Sequence, residues 1–148
     1  MSARDNAAIV REAHAAFNAR ELDRAVAHAA EDLEWVVVAT GEVFRGPEGY
    51  RRYMQGWIDG FPDASTEITA VHAGEDFAVV EFVGRGTHDG TLRSAAGDVP
   101  PTGRVSENRF CEVVQIRDGK ISSARTYLDM ATMMAQLGLM PAPEGAAG

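Results

Sequence analysis

Apolar residues recur at helical spacing in the first part of the chain, which predicts three helices there. The first spans 5–19, and Ser2 with Asp5 resembles a capping box at its start. A short, alanine-rich helix is expected over 22–30. A third helix is expected over 47–61, with Pro47 in its first turn. Its apolar face carries Tyr50, Tyr53, Met54, Trp57, Ile58 and Phe61.

From Ala64 onward the period of the pattern changes to two, which is typical of strands. Strands are predicted over 66–72, 77–86, 104–117 and 121–129, and Asp118-Gly119 is a hairpin turn signal. Segments 77–83 and 110–116 are apolar at both parities, so both faces of the sheet should be covered. A short helix with an apolar methionine face follows Asp129. Segregated helices and strands of this kind indicate an α+β fold with an antiparallel meander.

Length and composition fit one domain. The chain has 148 residues and 45% hydrophobic residues, enough for a core without disulfides or metals. The domain is expected over 1–140, and the Pro-, Ala- and Gly-rich segment 141–148 is expected to be a flexible tail.

The charge pattern argues against two classes of partner. There are 14 Lys and Arg against 22 Asp and Glu, a net charge of −8. Binding to nucleic acid or to an anionic membrane needs clustered basic residues, so neither partner is expected. The sequence has neither a signal peptide pattern nor an apolar run long enough to span a bilayer. With a single cysteine, Cys111, a cytoplasmic location is expected.

Motif searching leaves acid–base chemistry as the main option. The glycines around Gly84 and Gly86 match neither a dinucleotide fingerprint nor a P-loop, so no cofactor is expected. The four histidines form no metal-binding pair, so no metal is expected either. No nucleophile elbow is present.

Asp129 is the first candidate for the base. It shares a strand parity with Arg125 and Tyr127. If that parity faces inward, an apolar wall should raise the pKa of Asp129 into the range of a general base. The same carboxylate also directly precedes a helix, so the pattern fits an N-cap equally well.

Other polar and aromatic residues could complete a pocket. His88 lies at a strand end, and Gln115 interrupts an apolar run. Both are candidate polar groups beside the base, although a histidine in a turn is more commonly solvated. The predicted apolar wall and binding residues, which ordinary core packing also explains, are Trp35, Trp57, Tyr53, Phe82, Val113 and Tyr127.

Short segments spread over 9–139 resemble the SnoaL-like polyketide cyclase family. They are Phe44-Arg45-Gly46-Pro47-Glu48-Gly49, Phe61-Pro62-Asp63, Gly86-Thr87-His88-Asp89-Gly90, Pro100-Pro101-Thr102-Gly103-Arg104, Asp118-Gly119-Lys120-Ile121, Tyr127-Leu128-Asp129 and Gln136-Leu137-Gly138. The resemblance implies a cone-shaped α+β barrel: a curved, mostly antiparallel sheet wrapped around helices, with an apolar pocket.

The resemblance also implies a chemistry. By this resemblance, Asp129 matches the acid/base aspartate of the family. In the cyclases that aspartate takes a proton from a hydrophobic, carbonyl-rich substrate, and an intramolecular aldol addition then closes a ring. Gln115 stands where the cyclases tend to carry histidine, and Val36-Val37 replaces a polar pair. The resemblance further implies a homo-oligomer, as the two-sided apolar strands do.

Two alternatives stay open at this stage. A limonene-type epoxide hydrolase needs two carboxylates bridged by an arginine, for which Asp129, Glu112 and either Arg109 or Arg125 are available. Arg109 and Glu112 are three apart on a strand and should point to opposite faces. The other alternative is a small-molecule-binding module without catalysis.

Overall fold

The structure is a computed structural model, and it describes residues 2–94 and 97–140. The helices are α1 (Ala3–Asn18), α2 (Leu22–Val26), α3 (Gly46–Gly60) and α4 (Met130–Gln136). The strands are β1 (Ala29–Val37), β2 (Glu42–Arg45), β3 (Ser65–Ala73), β4 (Phe77–Thr87), β5 (Val105–Arg117) and β6 (Lys120–Leu128). The predicted tail, 141–148, lies outside the described residues.

All six strands join one curved, mixed sheet in the order β2-β1-β6-β5-β4-β3. Strands β3 to β6 form the predicted antiparallel meander, whereas β1 pairs with β6 in parallel. The sheet is not closed, because β2 and β3 are its two edges. The predicted α+β class, with a curved sheet around helices, is confirmed.

Local signals placed most helix ends correctly. Ser2 and Asp5 form the predicted capping box of α1. Asp118 and Gly119 both adopt positive φ, at 53° and 75°, as the turn between β5 and β6 requires. Among the described residues, no helix is long and apolar enough to cross a membrane.

The segment between α1 and α3 differs from the prediction. The helix expected over 22–30 ends at Val26, and Ala29 already pairs with Ile121 in the sheet. Alanine is small enough to be buried in either a helix or a strand, so its spacing does not distinguish them. Between the second and third helices the sequence pattern predicts one strand, whereas the structure has a hairpin of two, β1 and β2.

Helices α1 and α3 cover one face of the sheet, called the inner face below. Alternate residues of β4 and β5 point to it, so that Val80 lies opposite Glu112 and Phe82 lies opposite Phe110. On β6 the residue opposite Glu112 is Thr126. This register brings polar side chains from two strands into an otherwise apolar core.

Candidate functional site

A cavity of about 90 Å³ lies between α1, α3 and the inner face. Most of its lining is apolar, and two of the exceptions are His14 and Glu112. A larger open groove of about 860 Å³ lies on the other side of Tyr53, Trp57 and Met133. The residues lining the cavity include Ala13, His14, Phe17, Trp35, Tyr50, Tyr53, Met54, Trp57, Phe61, Phe82, Gly84, Gly86, Ser106, Phe110, Glu112 and Met133.

Two largely buried polar side chains of the cavity lining, His14 of α1 and Glu112 of β5, contact each other. Nε2 of His14 lies 3.0 Å from Oε1 of Glu112, and the side chains are 12% and 8% exposed. The other ring nitrogen, Nδ1, lies 2.9 Å from the Thr66 hydroxyl. The ring edge also packs on Phe82, with centroids 4.6 Å apart. His14 is therefore fixed at both nitrogens.

Thr126 connects Glu112 to the aromatic wall. Its hydroxyl accepts a hydrogen bond from Trp35 Nε1 at 2.8 Å and lies 3.2 Å from the Tyr53 hydroxyl. Because the indole N–H can only donate, the Thr126 hydroxyl keeps its own hydrogen for another acceptor. Glu112 Oε2, at 3.5 Å, is positioned to receive it. The hydrogen-bond directions in this network consequently converge on the Glu112 carboxylate.

Glu112, rather than His14, retains free capacity toward the cavity. Both His14 nitrogens already lie against protein partners, so neither presents a free lone pair to the cavity. An ionised carboxylate offers about four acceptor positions, and only two of those on Glu112 are used. The arrangement can therefore take up a proton at Glu112 while His14 holds the carboxylate in place.

Two tyrosines of α3 line the same cavity as this carboxylate. Burial raises the pKa of both Tyr50 and Tyr53 above the ordinary value, and the negative charge of Glu112 raises both further. The two phenols thus remain protonated around neutral pH, and each can donate a hydrogen bond.

Two inward-facing glycines shape the space beside the carboxylate. A Cβ atom at Gly84 would lie 2.8 Å from the Phe110 ring, and one at Gly86 would lie 2.7 Å from Phe61. Both distances are too short for real side chains. The glycines therefore let these two aromatic rings line the cavity next to the strand backbone.

Four of the residues predicted to bind substrate are in the cavity lining. They are Trp35, Tyr53, Trp57 and Phe82. Trp35 stacks on Tyr50 and Tyr53, and Phe82 stacks on Phe110. Their placement fits the predicted wall, and contact with a substrate stays a prediction.

The prediction that Asp129 is a buried carboxylate with a raised pKa is wrong. Asp129 is exposed and caps α4, accepting from Thr132 N at 3.0 Å and from the Thr132 hydroxyl at 2.6 Å. These hydrogen bonds stabilise the ionised form, so they lower the pKa of Asp129. The N-cap interpretation is the one that the structure supports.

The reason is the parity of β6 and β5. Arg125 and Tyr127 are exposed on the outer face, and the inward residue between them is Thr126. Gln115 is likewise exposed, and Val113 is a half-buried residue of the outer face. Neither Gln115, Val113 nor Tyr127 contributes to the cavity lining. Their predicted positions in the pocket are wrong by one residue along each strand.

His88 follows β4 directly, at a strand end as predicted, but it is buried rather than solvated and lies outside the cavity lining. Its Nδ1 atom lies 3.0 Å from the Thr102 hydroxyl, and its ring packs on Phe61. Backbone hydrogen bonds from His88 N to Arg104 O and from Gly103 N to His88 O join the two ends of the loop. His88 thus holds the connection between β4 and β5 rather than a ligand.

Sequence reasoning missed the central pair. The sequence pattern suggests Glu112 only as one carboxylate of an arginine-bridged pair. It suggests His14 only as one of four histidines without metal-binding spacing. A usable signal was present in each case: Glu112 shares the parity of Val114 and Ile116, and His14 shares a helix face with Val10 and Phe17. A single charged residue on an apolar face is a candidate for a buried functional group.

The arginine-bridged pair of an epoxide hydrolase is not formed. Glu112 is the one carboxylate in the cavity lining of the described residues, and Arg109 and Arg125 lie exposed on the outer face. Within the described ranges, no cluster of three or more His, Cys, Asp or Glu could hold a metal ion.

Comparisons with known proteins agree with this architecture. AclR, a proposed hydroxylase from Streptomyces galilaeus, is 24% identical, with a TM-score of 0.79 over 97% of this chain and 87% of AclR. IdmH, a candidate polyketide cyclase from Streptomyces antibioticus, is 29% identical, with a TM-score of 0.70 over 88% of this chain and 96% of IdmH. A candidate SnoaL-like polyketide cyclase from Jannaschia sp. CCS1 is 18% identical, with a TM-score of 0.81 over 93% and 94% of the two chains.

No curated protein matches the sequence. The sequence profile of SnoaL-like polyketide cyclases, in contrast, matches residues 7–137, which is most of the 148 residues. The chain belongs to the SnoaL-like polyketide cyclase family.

Proposed function

We propose that this protein is a cofactor-free cyclase or isomerase that uses Glu112 as its acid/base group on a hydrophobic, carbonyl-rich small molecule. The observation that carries the proposal is a buried carboxylate with free acceptor positions in a cavity lined mainly by apolar side chains. Low dielectric surroundings strengthen the interactions of such a carboxylate with a nearby acidic C–H group.

The proposed reaction begins with proton transfer from carbon to oxygen. A C–H group flanked by carbonyls gives its proton to Glu112, and the electron pair of that bond forms an enolate. The enolate carbon then attacks a second carbonyl of the same molecule, which forms the new C–C bond. The resulting alkoxide takes the proton back from the Glu112 carboxyl group, so that the protein is regenerated.

His14 is proposed to position the base. Its Nε2 atom lies 3.0 Å from Glu112 Oε1 and its Nδ1 atom lies 2.9 Å from the Thr66 hydroxyl, and the two contacts together fix the ring orientation. A carboxylate held by a hydrogen bond on one oxygen presents the other oxygen in a defined direction. His14 is therefore a positioning residue in this account.

The size of the cavity bears on how a substrate is held. Ligand sites usually measure about 300–1,000 Å³, so a multi-ring substrate must displace side chains from the cavity of about 90 Å³. Met54 and Met133 are flexible lining residues that can move. Met133 also borders the larger groove, which offers room for the rest of the substrate.

The family and one relative support a cyclase over other chemistry. The match to SnoaL-like polyketide cyclases covers 7–137, and IdmH, at 29% identity, is described as a candidate polyketide cyclase. The cavity lining holds no second carboxylate among the described residues, which speaks against the hydrolase alternative. The fixed Glu112–His14 pair speaks against a purely binding role.

Deuterium exchange tests the proposal without knowledge of the natural substrate. Ethyl benzoylacetate, an aromatic β-ketoester, is incubated with the protein in D₂O at mildly acidic pD, and loss of the α-proton is followed by NMR. We expect the wild-type protein to accelerate exchange over buffer, and Glu112→Gln to lose that acceleration. Equal exchange by wild type and Glu112→Gln contradicts the role of Glu112.

A further inference from the structure

The structure assigns a second ligand-contacting role: we propose that the Tyr50 hydroxyl donates a hydrogen bond to the carbonyl oxygen of the substrate that becomes the enolate oxygen. This inference rests on the proposed function and extends it, because it names a group of the protein that recognises one atom of the substrate. The site would accordingly prefer ligands with an anionic or strongly polarised oxygen attached to an apolar ring.

Two tyrosines of α3 pack against the same tryptophan. Tyr50 and Tyr53 lie one turn apart on α3, and both rings stack on Trp35, with centroids 4.7 and 5.0 Å away. Both side chains are buried, at 4% and 9% exposure, and both line the cavity. Their packing is therefore closely matched.

Their hydroxyl groups differ. The Tyr53 hydroxyl is used inside the protein, 3.2 Å from Thr126 Oγ1. The Tyr50 hydroxyl has no hydrogen-bond partner within residues 2–94 and 97–140. It is also not among the fully enclosed polar atoms without partners, which in the described part of the chain are Asn6 Oδ1 and His88 Nε2. The Tyr50 hydroxyl is thus not fully enclosed, and the Tyr50 side chain belongs to the cavity lining.

An unused hydroxyl in such a position favours a ligand. Buried polar groups nearly always have partners, since leaving one unpaired costs about 1–3 kcal/mol. Among the described residues the Tyr50 hydroxyl lacks a partner, and the Tyr50 side chain lines a mainly apolar cavity. Burial and the charge on Glu112 raise the pKa of Tyr50, which keeps it a donor.

The charge on Glu112 indicates which substrate atom accepts the hydrogen bond from the Tyr50 hydroxyl. As a donor in the cavity that Glu112 also lines, Tyr50 suits an oxygen whose negative charge grows when Glu112 takes the proton and becomes neutral. Negative charge then moves from Glu112 to the substrate oxygen, where Tyr50 can stabilise it. A donor aimed at that oxygen is more favourable after proton transfer than before it, as a contribution to catalysis requires.

The test uses 4-nitrophenolate, a stable mimic of an enolate oxygen on an apolar ring, and measures binding by its absorbance. In Glu112→Gln, the neutral amide stands for the protonated carboxyl group, so this variant should bind 4-nitrophenolate more tightly than wild type. Adding Tyr50→Phe should weaken binding about 10- to 100-fold, the range expected for a hydrogen bond to a charged group. Adding Tyr53→Phe instead should weaken it much less, because that hydroxyl is bonded to Thr126.

Three results overturn the inference: no binding by Glu112→Gln, no loss on adding Tyr50→Phe, or an equal loss with both tyrosine variants. If Tyr50→Phe does not fold, 3-fluorotyrosine at position 50 replaces it, and its more acidic hydroxyl should tighten binding. Unchanged or weaker binding with 3-fluorotyrosine then overturns the inference. The exchange assay with Glu112→Gln remains a separate test, so the failure of the Tyr50 role and the failure of the proposed function can be distinguished.

Discussion

Nε2 of His14 on the first helix lies 3.0 Å from Oε1 of Glu112, 98 residues later on β5. This contact fixes α1 against the centre of the sheet at the same place where the cavity lies. Fold and candidate site therefore depend on the same pair. A buried charge is costly unless it is paired, so each partner should be difficult to remove alone.

The pair can be tested through stability. His14→Leu should leave Glu112 buried without its partner, and we expect a loss of about 3 kcal/mol in the free energy of unfolding. The double variant His14→Leu with Glu112→Gln should recover part of that loss, because no charge is left unpaired. Urea denaturation of the wild type, both single variants and the double variant measures the coupling. Additive effects of the two substitutions would show that the pair is not coupled.

Thr126 should matter through its hydroxyl rather than its volume. Thr126→Val keeps the shape but leaves the Trp35 N–H and Tyr53 hydroxyl without their shared acceptor. We expect a loss of roughly 1–3 kcal/mol per unpaired donor, measured by urea denaturation. Thr126→Ser, which keeps the hydroxyl and loses only a methyl group, serves as the control. A serine variant less stable than the valine variant is incompatible with this role.

The stability of the protein should fall in mild acid, in part through His88. Burial lowers the pKa of His88 below its ordinary value of about 6.5, with Asp89 and a backbone group opposing the shift. The unfolded chain therefore binds this proton at higher pH than the native protein does, so the free energy of unfolding decreases as pH falls through about 6.5.

Denaturation by urea from about pH 7.5 to about pH 5 measures this dependence. His88→Gln should show a shallower decrease than wild type. A remaining decrease is expected, because burial also lowers the pKa of His28. An unchanged slope in His88→Gln would exclude the contribution of His88.

A homo-oligomer stays a prediction. On the outer face, Phe77 and Tyr127 are 39% and 42% exposed, and Val79, Val83 and Val113 are half-buried. A second copy of the chain on this face would cover these residues. Light scattering should give a mass above 15.9 kDa, and Val113→Asp should reduce it toward the monomer. A wild-type monomer at micromolar concentration is the contrary result.

Sequence reasoning identified most elements because their signals are local. The Ser2–Asp5 cap and the Asp118-Gly119 turn depend on neighbouring residues, and both were found as predicted. Phe82 lies in the cavity lining, as predicted. It shares its strand parity with Gly84, Gly86 and His88, whereas the charged residues Glu81 and Arg85 have the opposite parity. Such features need no knowledge of the remaining chain.

The candidate site depended on long-range information instead. Strand β5 is apolar at both parities, so its pattern does not tell which face carries Glu112 and which carries Gln115. The pairing of β5 with β6 also shifts in register between Gln115 and Ile116, so a strict alternation along β5 does not predict the partner residues on β6. The parity of Asp129 was therefore assigned to the wrong face, and the partner of Glu112 on α1 could not be inferred from spacing.

The most direct measurement compares two carboxylates in one assay. Glu112→Gln and Asp129→Asn each remove one negative charge with little change in volume, but only Glu112 faces the cavity, whereas Asp129 caps α4. Exchange of the α-proton of ethyl benzoylacetate in D₂O is measured for both variants, with folding checked by circular dichroism. We predict that Glu112→Gln abolishes catalysed exchange and that Asp129→Asn retains most of it. Retained exchange in Glu112→Gln together with loss in Asp129→Asn would contradict the assignment of Glu112 as the acid/base group.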